Sequence, residues 1–467
     1  MVITIPSRLK QFAGTIQAKD FFWIRLACFA FLASLFLWPL LSHASDINAF
    51  VMLNLSSYER DAVITMRRFF ELPLWDPYYC GGIYALGSPQ SRFASPSFLI
   101  SLIFGQERGA LLIAFVLLIV GMEGCFRYLR SIHHNSWSAL LCAPLFPLSG
   151  FFASLFFLGW INFFSFLAIP WLLWGVRQSV HSKSAGLVSI ALSAAWMTGF
   201  GGTYSVPMAA LAAVFECFVV LASLRKSPKR LRELLVSYLI AGMLSVFLSC
   251  YRLWPIIESL HAAPRIMTGT PAHSLRTLGA MLFERLAPEQ GNLSVHGQYY
   301  IGIALIPLIV LGSFRRSMLP YVAALGLSLW TATGYASQLS PFAALRHLPI
   351  FSTFRYPERY LIFVALYATI LCAEALHRLF QLAQRKRALH PILLGALLLL
   401  FTTYSLMISD HVHAVAGMHF EHAPKTIERS FHQASGSRWA LSYFAPMSRG
   451  SLLLGSLSSS AISPLTC

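Results

Sequence analysis

Charge is what this sequence has least of. Only 11% of its 467 residues are Asp, Glu, Lys or Arg, against roughly 25% in a soluble domain. With 57% hydrophobic residues and a mean hydropathy of +0.63, the chain cannot clothe a folded surface in polar groups. That excludes a soluble globular enzyme and leaves a multi-pass membrane protein. Acids are scarcer still, 18 against 35 basic residues, for a net charge of +17. In water that excess would suggest nucleic acid. Here the basic residues sit in short turns between apolar runs and set topology, so no nucleic-acid partner is expected. No CxxC pair occurs, and Cys28, Cys125, Cys142, Cys217, Cys250 and Cys372 fall in or beside apolar runs. That argues against a disulfide framework. Walker, Rossmann and zincin motifs are absent, and no clear internal repeat is seen.

Apolar runs are what the chain has instead. Runs of about 17–25 residues predict an all-α polytopic fold with about eleven transmembrane helices, within a range of about 10–13. They lie near 21–44, 109–129, 137–157, 160–176, 185–201, 204–224, 234–254, 299–314, 317–333, 360–380 and 390–409. Residues 1–20 form a cytoplasmic N-terminus ahead of an uncleaved first span, and 21–409 form the membrane domain. Turns after the even-numbered spans carry Arg127/Arg130, Arg177/Lys183, Arg225 to Arg232, Arg315/Arg316 and Arg378/Arg385/Lys386/Arg387. All fall on the N-terminal side, as the positive-inside bias requires. The opposite side holds loops 45–108, 255–298 and 334–359 and a tail from 410, with most of the acids. With the N-terminus cytoplasmic, this layout expects the C-terminus to be extracytoplasmic. The cytoplasmic turns look too short for a site, which puts any chemistry on the outer face. Glu123, Glu216 and Glu374 are the acids inside spans. Glu123 can pair with Arg127, and Glu374 with Arg378, at i,i+4.

The first outer loop is the richest in chemistry. Asp46 follows the first span directly. "YERDAVITMRRFF" (58–70) predicts a short amphipathic helix with Val63, Met66 and Phe70 on one stripe and Arg60 and Arg67 on another face. Those basic groups face either phosphate or water. Then comes "LPLWDPYYCGG" (72–82), in which Pro73 and Pro77 bar a regular helix and Gly81-Gly82 permit a tight turn. Trp75, Tyr78 and Tyr79 suit the headgroup level. "SFLISLIFG" is too short to span and reads as an interfacial or re-entrant helix. In "FSTFRYPERYLIF", Arg355 and Arg359 flank Pro357-Glu358 at the mouth of a span. They read either as a phosphate site or as snorkelling anchors.

Together these segments resemble YfhO-like bacterial membrane proteins, within the GT-C glycosyltransferase class. The first-loop pattern is matched by Trp75, Pro77, Tyr78, Gly81, Gly82, Pro89, Gln90 and Ser91 in order. It departs with Asp76 for the common Asn and Tyr84-Ala85 for Pro-Leu. "LRHLPIFSTFRYPERYLIF" is similar to the family's closing segment. The likeness is ordered over roughly residues 20–410. The tail from 410 to 467 is short for the family, an expectation of a truncated end.

The resemblance implies a polyprenyl-phosphate-linked sugar as donor and a cell-envelope glycan, lipid or protein as acceptor. It implies a carboxylate base in the first outer loop: Asp46 first, with Glu59 and Asp61 in reserve. It implies that Arg355 and Arg359, with Arg67 and Arg68, hold the lipid phosphate. Trp75, Asp76, Pro77, Tyr78, Gly81 and Gly82 would shape the loop. A divalent metal assists some branches, and the sequence names no ligands for one. His411, His413, His419 and His422 form no completed metal pattern. A transporter or flippase of a lipid-linked or amphipathic substrate is the alternative, and a non-catalytic scaffold a third reading.

Overall fold

The computed structural model describes residues 18–41, 56–76, 82–93, 95–133, 135–157, 160–262, 271–286, 298–336, 339–348, 350–385 and 395–416. The first third comprises α1 (Ala18–Leu41), α2 (Ser56–Phe69), β1 (Trp75–Asp76), β2 (Ile83–Tyr84), α3 (Phe98–Phe104) and α4 (Gln106–His133). The middle holds α5 (Ser136–Cys142), α6 (Gly150–Phe157), a 3-10 turn at Ile161–Ala168, α7 (Ile169–Gln178), α8 (Lys183–Gly199), α9 (Ser205–Ser223) and α10 (Pro228–Ala262). After these come α11 (Leu275–Phe283), α12 (Ile306–Ser313), α13 (Leu319–Ala332), α14 (Pro341–Leu345) and α15 (Leu361–Arg385). The last described helix is α16 (Gly395–Ala416).

The all-α architecture stands. Among the described residues, six helices are long and apolar enough to cross a membrane: α1, α4, α9, α10, α15 with its 3-10 lead, and α16. Elsewhere the apolar runs are short, as in the 17 residues of α8, or they break. The run 137–157 becomes α5 and α6, joined by a turn that contains Pro144 and Pro147. Proline lacks the amide hydrogen and its ring clashes with the preceding turn, so a helix cannot run through it unstrained. The run 160–176 starts as a 3-10 segment whose residues are all buried, and α7 begins with Pro170 in its first turn. Residues 303–313 and 316–332 meet at 115° around Arg315. The expected tail also starts later, because α16 carries on to Ala416.

Every residue from Leu361 to Leu376 is buried, which makes α15 the hub of the bundle. A helix apolar on all sides has to be enclosed, and α5, α12 and α13 pack around it. By contrast α10 turns Leu239, Met243, Phe247 and Trp254 outward, as a lipid-facing helix does. At 35 residues it extends for about 52 Å, well beyond a hydrocarbon core of about 30 Å. Its far end therefore reaches the loops that hold the candidate site.

Candidate functional site

The stretch around Trp75 folds as a hairpin. Trp75 pairs with Tyr84 and Asp76 with Ile83, antiparallel. Gly82 closes it at φ +116°, where a Cβ would overlap the Trp75 ring, so this position requires glycine. Trp75 is exposed and Asp76 buried. Pro77, Tyr78 and Gly81 lie outside the described residues, as does Asp46.

The loop that follows is fastened by an arginine from a distant helix. Arg252 of α10 is fully buried. Its guanidinium donates to the carbonyls of Ala85 (3.2 Å), Leu86, Ser88 (2.7 Å) and Ser91 (2.5 Å). A planar fork of donors suits a curl of converging carbonyls, of which Ser88's also accepts from the Ser91 N–H. Sequence reasoning counted the acids inside spans and passed over this base. The signal was there, as a single Arg in the apolar run "FLSCYRLWPII".

The amphipathic helix forms as α2, but it ends at Phe69; Phe70, expected on its apolar stripe, has φ 57° and is exposed. Ala62 and Val63 pack on Phe98 of α3, with Met66 and Phe93 alongside. Arg67 donates to the carbonyls of Leu102 and Ile103 at the C-terminal end of α3. There it satisfies orphan helix carbonyls, which accounts for the residue without a phosphate. Arg68 is exposed, 5.7 Å from the Phe69 ring. Glu59 and Asp61 are both buried. Glu59 forms an ion pair with Arg92, whose guanidinium also faces the Phe200 ring at 5.2 Å. Burial lowers the Arg92 pKa, and the Glu59 carboxylate offsets only part of that. Among the described residues, Glu59 Oε1 has no hydrogen-bond partner.

A short link between α8 and α9 joins this loop to the closing segment. Thr203 donates to the Pro89 carbonyl at 3.0 Å and Asn162 to that of Gly201 at 3.3 Å. Gly201 has φ +80°, and a Cβ there would stand 2.5 Å from the Gln90 carbonyl oxygen. The glycine is what lets the two loops touch. Tyr204, at the end of the link, is one wall of a box around Arg359. The guanidinium lies 3.8 Å from the Tyr204 centroid, 4.5 Å from Phe163 and from Tyr356, and 5.5 Å from Trp160.

Arg359 is 5% exposed and, among the described residues, its Nη1 has no acceptor. Among the described residues no carboxylate forms an ion pair with it. Its neighbour Glu358 instead accepts from His273 Nε2 at 3.1 Å. The four ring faces stabilise the charge by up to about 2 kcal/mol apiece when desolvated. They supply no lone pair, so an N–H donor stays unsatisfied in a buried place. Arg355 is exposed; its guanidinium lies 5.4 Å from the Tyr356 ring and its backbone N–H 3.5 Å from the Tyr204 hydroxyl.

The structure thus sorts the predicted residues. Glu59 and Arg359 stand on either side of the 200–204 link, with Asp61 two residues from Glu59 on the same helix. Arg67, Arg68 and Arg355 point elsewhere. Trp160, Phe163 and Tyr204 were missed, because aromatics in apolar runs look like core. Among the described residues no three His, Cys, Asp or Glu side chains come together as a metal site. His411 is buried on α16, donates from Nδ1 to the Arg285 carbonyl at 2.6 Å and stacks on Tyr300. His413 bonds the Ser409 carbonyl, and His419 and His422 lie outside the described residues.

The opposite end of the bundle, where the basic turns gather, corrects the expectation that it has no room for a site. A cavity of about 890 Å³ opens there. The three intramembrane acids lie around it. Glu123 binds Arg127 as the i,i+4 spacing predicts (2.8 Å), and also Arg25 of α1 (2.7 Å). Glu374 binds Arg378 (3.0 Å) and also Arg315 (2.9 Å). Glu216 is held by Arg177 and by the hydroxyls of Tyr128 (2.8 Å) and Tyr321 (3.1 Å). Comparison of the chain by family model, by sequence with curated proteins and by fold with solved structures finds no match.

Proposed function

We propose that this protein is a membrane glycosyltransferase that moves a sugar from a polyprenyl-phosphate donor to a cell-envelope acceptor on the outer face of a bacterial plasma membrane. The observation that carries the reading is Arg359, a buried guanidinium with an open donor, walled by aromatic rings and lacking a carboxylate partner. A lipid phosphate supplies the missing acceptor and charge. The rings suit the apolar sugar face and the first isoprene units. The first-loop resemblance supplies the reaction class.

In this reading the acceptor hydroxyl attacks the anomeric carbon. A new C–O bond forms as the bond from that carbon to the phosphate oxygen breaks. The lipid phosphate leaves with the bonding pair, stabilised by Arg359. The acceptor proton passes to a first-loop carboxylate. Asp46 holds that role, and the Glu59–Arg92 pair anchors α2 against the loop beneath it. The short and bent segments complete the eleven crossings. The basic turns face the cytoplasm and the Arg359 end faces outward.

The test is transfer from a panel of radiolabelled polyprenyl-phosphate sugars by membranes containing the full chain. Arg359→Ala is expected to lower transfer about 10²- to 10³-fold, the usual cost of removing one preorganised donor. Arg359→Lys should recover only part of it, since a point charge replaces a fork. Asp46→Asn should abolish transfer. Wild-type rates in Arg359→Ala would refute the phosphate role. Movement of intact lipid-linked sugar across vesicles, with no cleavage of the sugar by any donor, would favour the flippase instead.

A further inference from the structure

The cavity at the basic end is not used by the transferase reading, and none of its lining residues belongs to the Arg359 region. We propose that it is a binding site for a phosphate-bearing amphiphile, held by its anionic head.

Charge is the first argument. Arg25, Arg127, Arg130, Arg177 and Arg315 line the cavity, with Glu123 as the acid among them. Setting Arg130 aside, and counting the two acids just behind, Glu216 and Glu374, with the second partner of Glu374, Arg378, five arginines face three carboxylates among the described residues. Two positive charges are left over there. Arginine does not titrate in the physiological range, so the surplus persists at any working pH.

Geometry is the second. Topogenic arginines need only lie in a turn, whereas these converge on one space from α1, α4, α7 and the α12–α13 bend. The carboxylates hold several of them by one edge. Arg127 gives Glu123 its Nε, and Arg315 gives Glu374 its Nη1. Among the described residues neither Nη group of Arg127 has an acceptor, and its guanidinium lies over Trp171 and Trp174, at 5.2 and 5.5 Å. The Arg127 and Arg315 side chains remain 38% and 50% exposed, which leaves donors free to reach a ligand. Forked donors arranged in this way match the oxygens of a phosphate.

The third argument is the rest of the wall. Phe126, Trp174, Val219 and Val220 give the cavity an apolar side continuous with the helices α4, α7 and α9. A small inorganic anion makes no use of that side. An acyl chain or isoprenoid emerging from a phosphate head does. A phosphorylated head could still arrive from solution, so the experiment separates the two sources.

The experiment is native mass spectrometry of the full chain in a neutral detergent. It is titrated with phosphatidic acid, with phosphatidylcholine as zwitterionic control, and with inorganic pyrophosphate as competitor. The expected result is at least a tenfold preference for phosphatidic acid over phosphatidylcholine. Arg127→Ala/Arg315→Ala should lower that binding at least tenfold, whereas Arg285→Ala, on a different surface, should bind as wild type. If the double variant is not monodisperse, Arg127→Gln alone carries the test, with a several-fold loss expected. Pyrophosphate competition at equal concentration would assign the site to a soluble phosphate head, and its failure to compete to the lipid. Equal retention of both lipids, or undiminished binding by the variants, would overturn the proposal.

Discussion

The two ends of this bundle differ in how they handle most of their buried positive charge. At the basic-turn end, charge meets charge: Glu123, Glu216 and Glu374 each hold at least one arginine. At the other end Arg92 also pairs with an acid, Glu59, but among the described residues Arg252 meets backbone carbonyls and Arg359 aromatic faces, with one donor open. Both solutions answer the same problem, the several kcal/mol needed to take an ion out of water. They differ in what remains when one member is removed. Deleting half of an ion pair strands the other half. Deleting a cation from a ring box strands nothing charged. The first arrangement is therefore built for cohesion, and the second tolerates exchange of what sits beside it.

The strongest way to break this contrast is Glu216→Gln. It leaves the Arg177 charge without its carboxylate, and a loss of about 3–5 kcal/mol is expected. Thermal unfolding in detergent measures it. The double variant Arg177→Met/Glu216→Leu should recover most of that loss, since both charges leave together. A double variant no more stable than the single one would count against the ion-pair account.

Arg252→Ala comes next, at about 3 kcal/mol, because charged hydrogen bonds to four carbonyls vanish together. Hydrogen exchange should quicken at residues 85–91 first. Unchanged protection there would mean that the loop is held by something else.

Arg359→Met sharpens the comparison from the other side. Stability should move by no more than about 1 kcal/mol, since an apolar side chain in the box leaves no orphaned charge. Transfer activity should nevertheless collapse. A destabilisation as large as that of Glu216→Gln would erase the distinction between the two ends. The smallest effect is expected at Arg285→Ala. Its pair with Asp410 is close at 2.7 Å, yet both side chains are more than half exposed. Such surface pairs contribute about 0–1 kcal/mol, so the melting curve should barely shift.

How much of this was legible beforehand differs by residue type. The amphipathic helix at 56–69 and the short helix at 98–104 follow from periodicity and from length. The Glu123–Arg127 and Glu374–Arg378 pairs follow from i,i+4 spacing, which is a local rule. The additional partners, Arg25 and Arg315, lie 98 and 59 residues away, and nothing local announces them. The run 137–157 is not one continuous helix for a readable reason, since Pro144 and Pro147 were in plain sight inside an apolar run. Arg67 illustrates the opposite error. Its position on a basic helix face suggested phosphate, but the end of α3 claims it. A helix terminus created by tertiary folding has carbonyls that a linear reading does not see.

The sequence by itself determined that the chain is helical and belongs with lipid, because so few charges cannot solvate so many apolar residues. It also determined the segregation of basic turns from acidic loops, because composition along the chain is enough to show it. Tertiary structure alone decided which arginine is which. Arg252, Arg359, Arg127 and Arg67 are the same residue type, and most of them border apolar runs. One staples carbonyls, one sits in a ring box, one lines a cavity and one ends a helix. The reason is physical: a guanidinium is bound by whatever acceptors or π-faces surround it. Those surroundings come from segments tens to hundreds of residues away, brought together only when the helices pack.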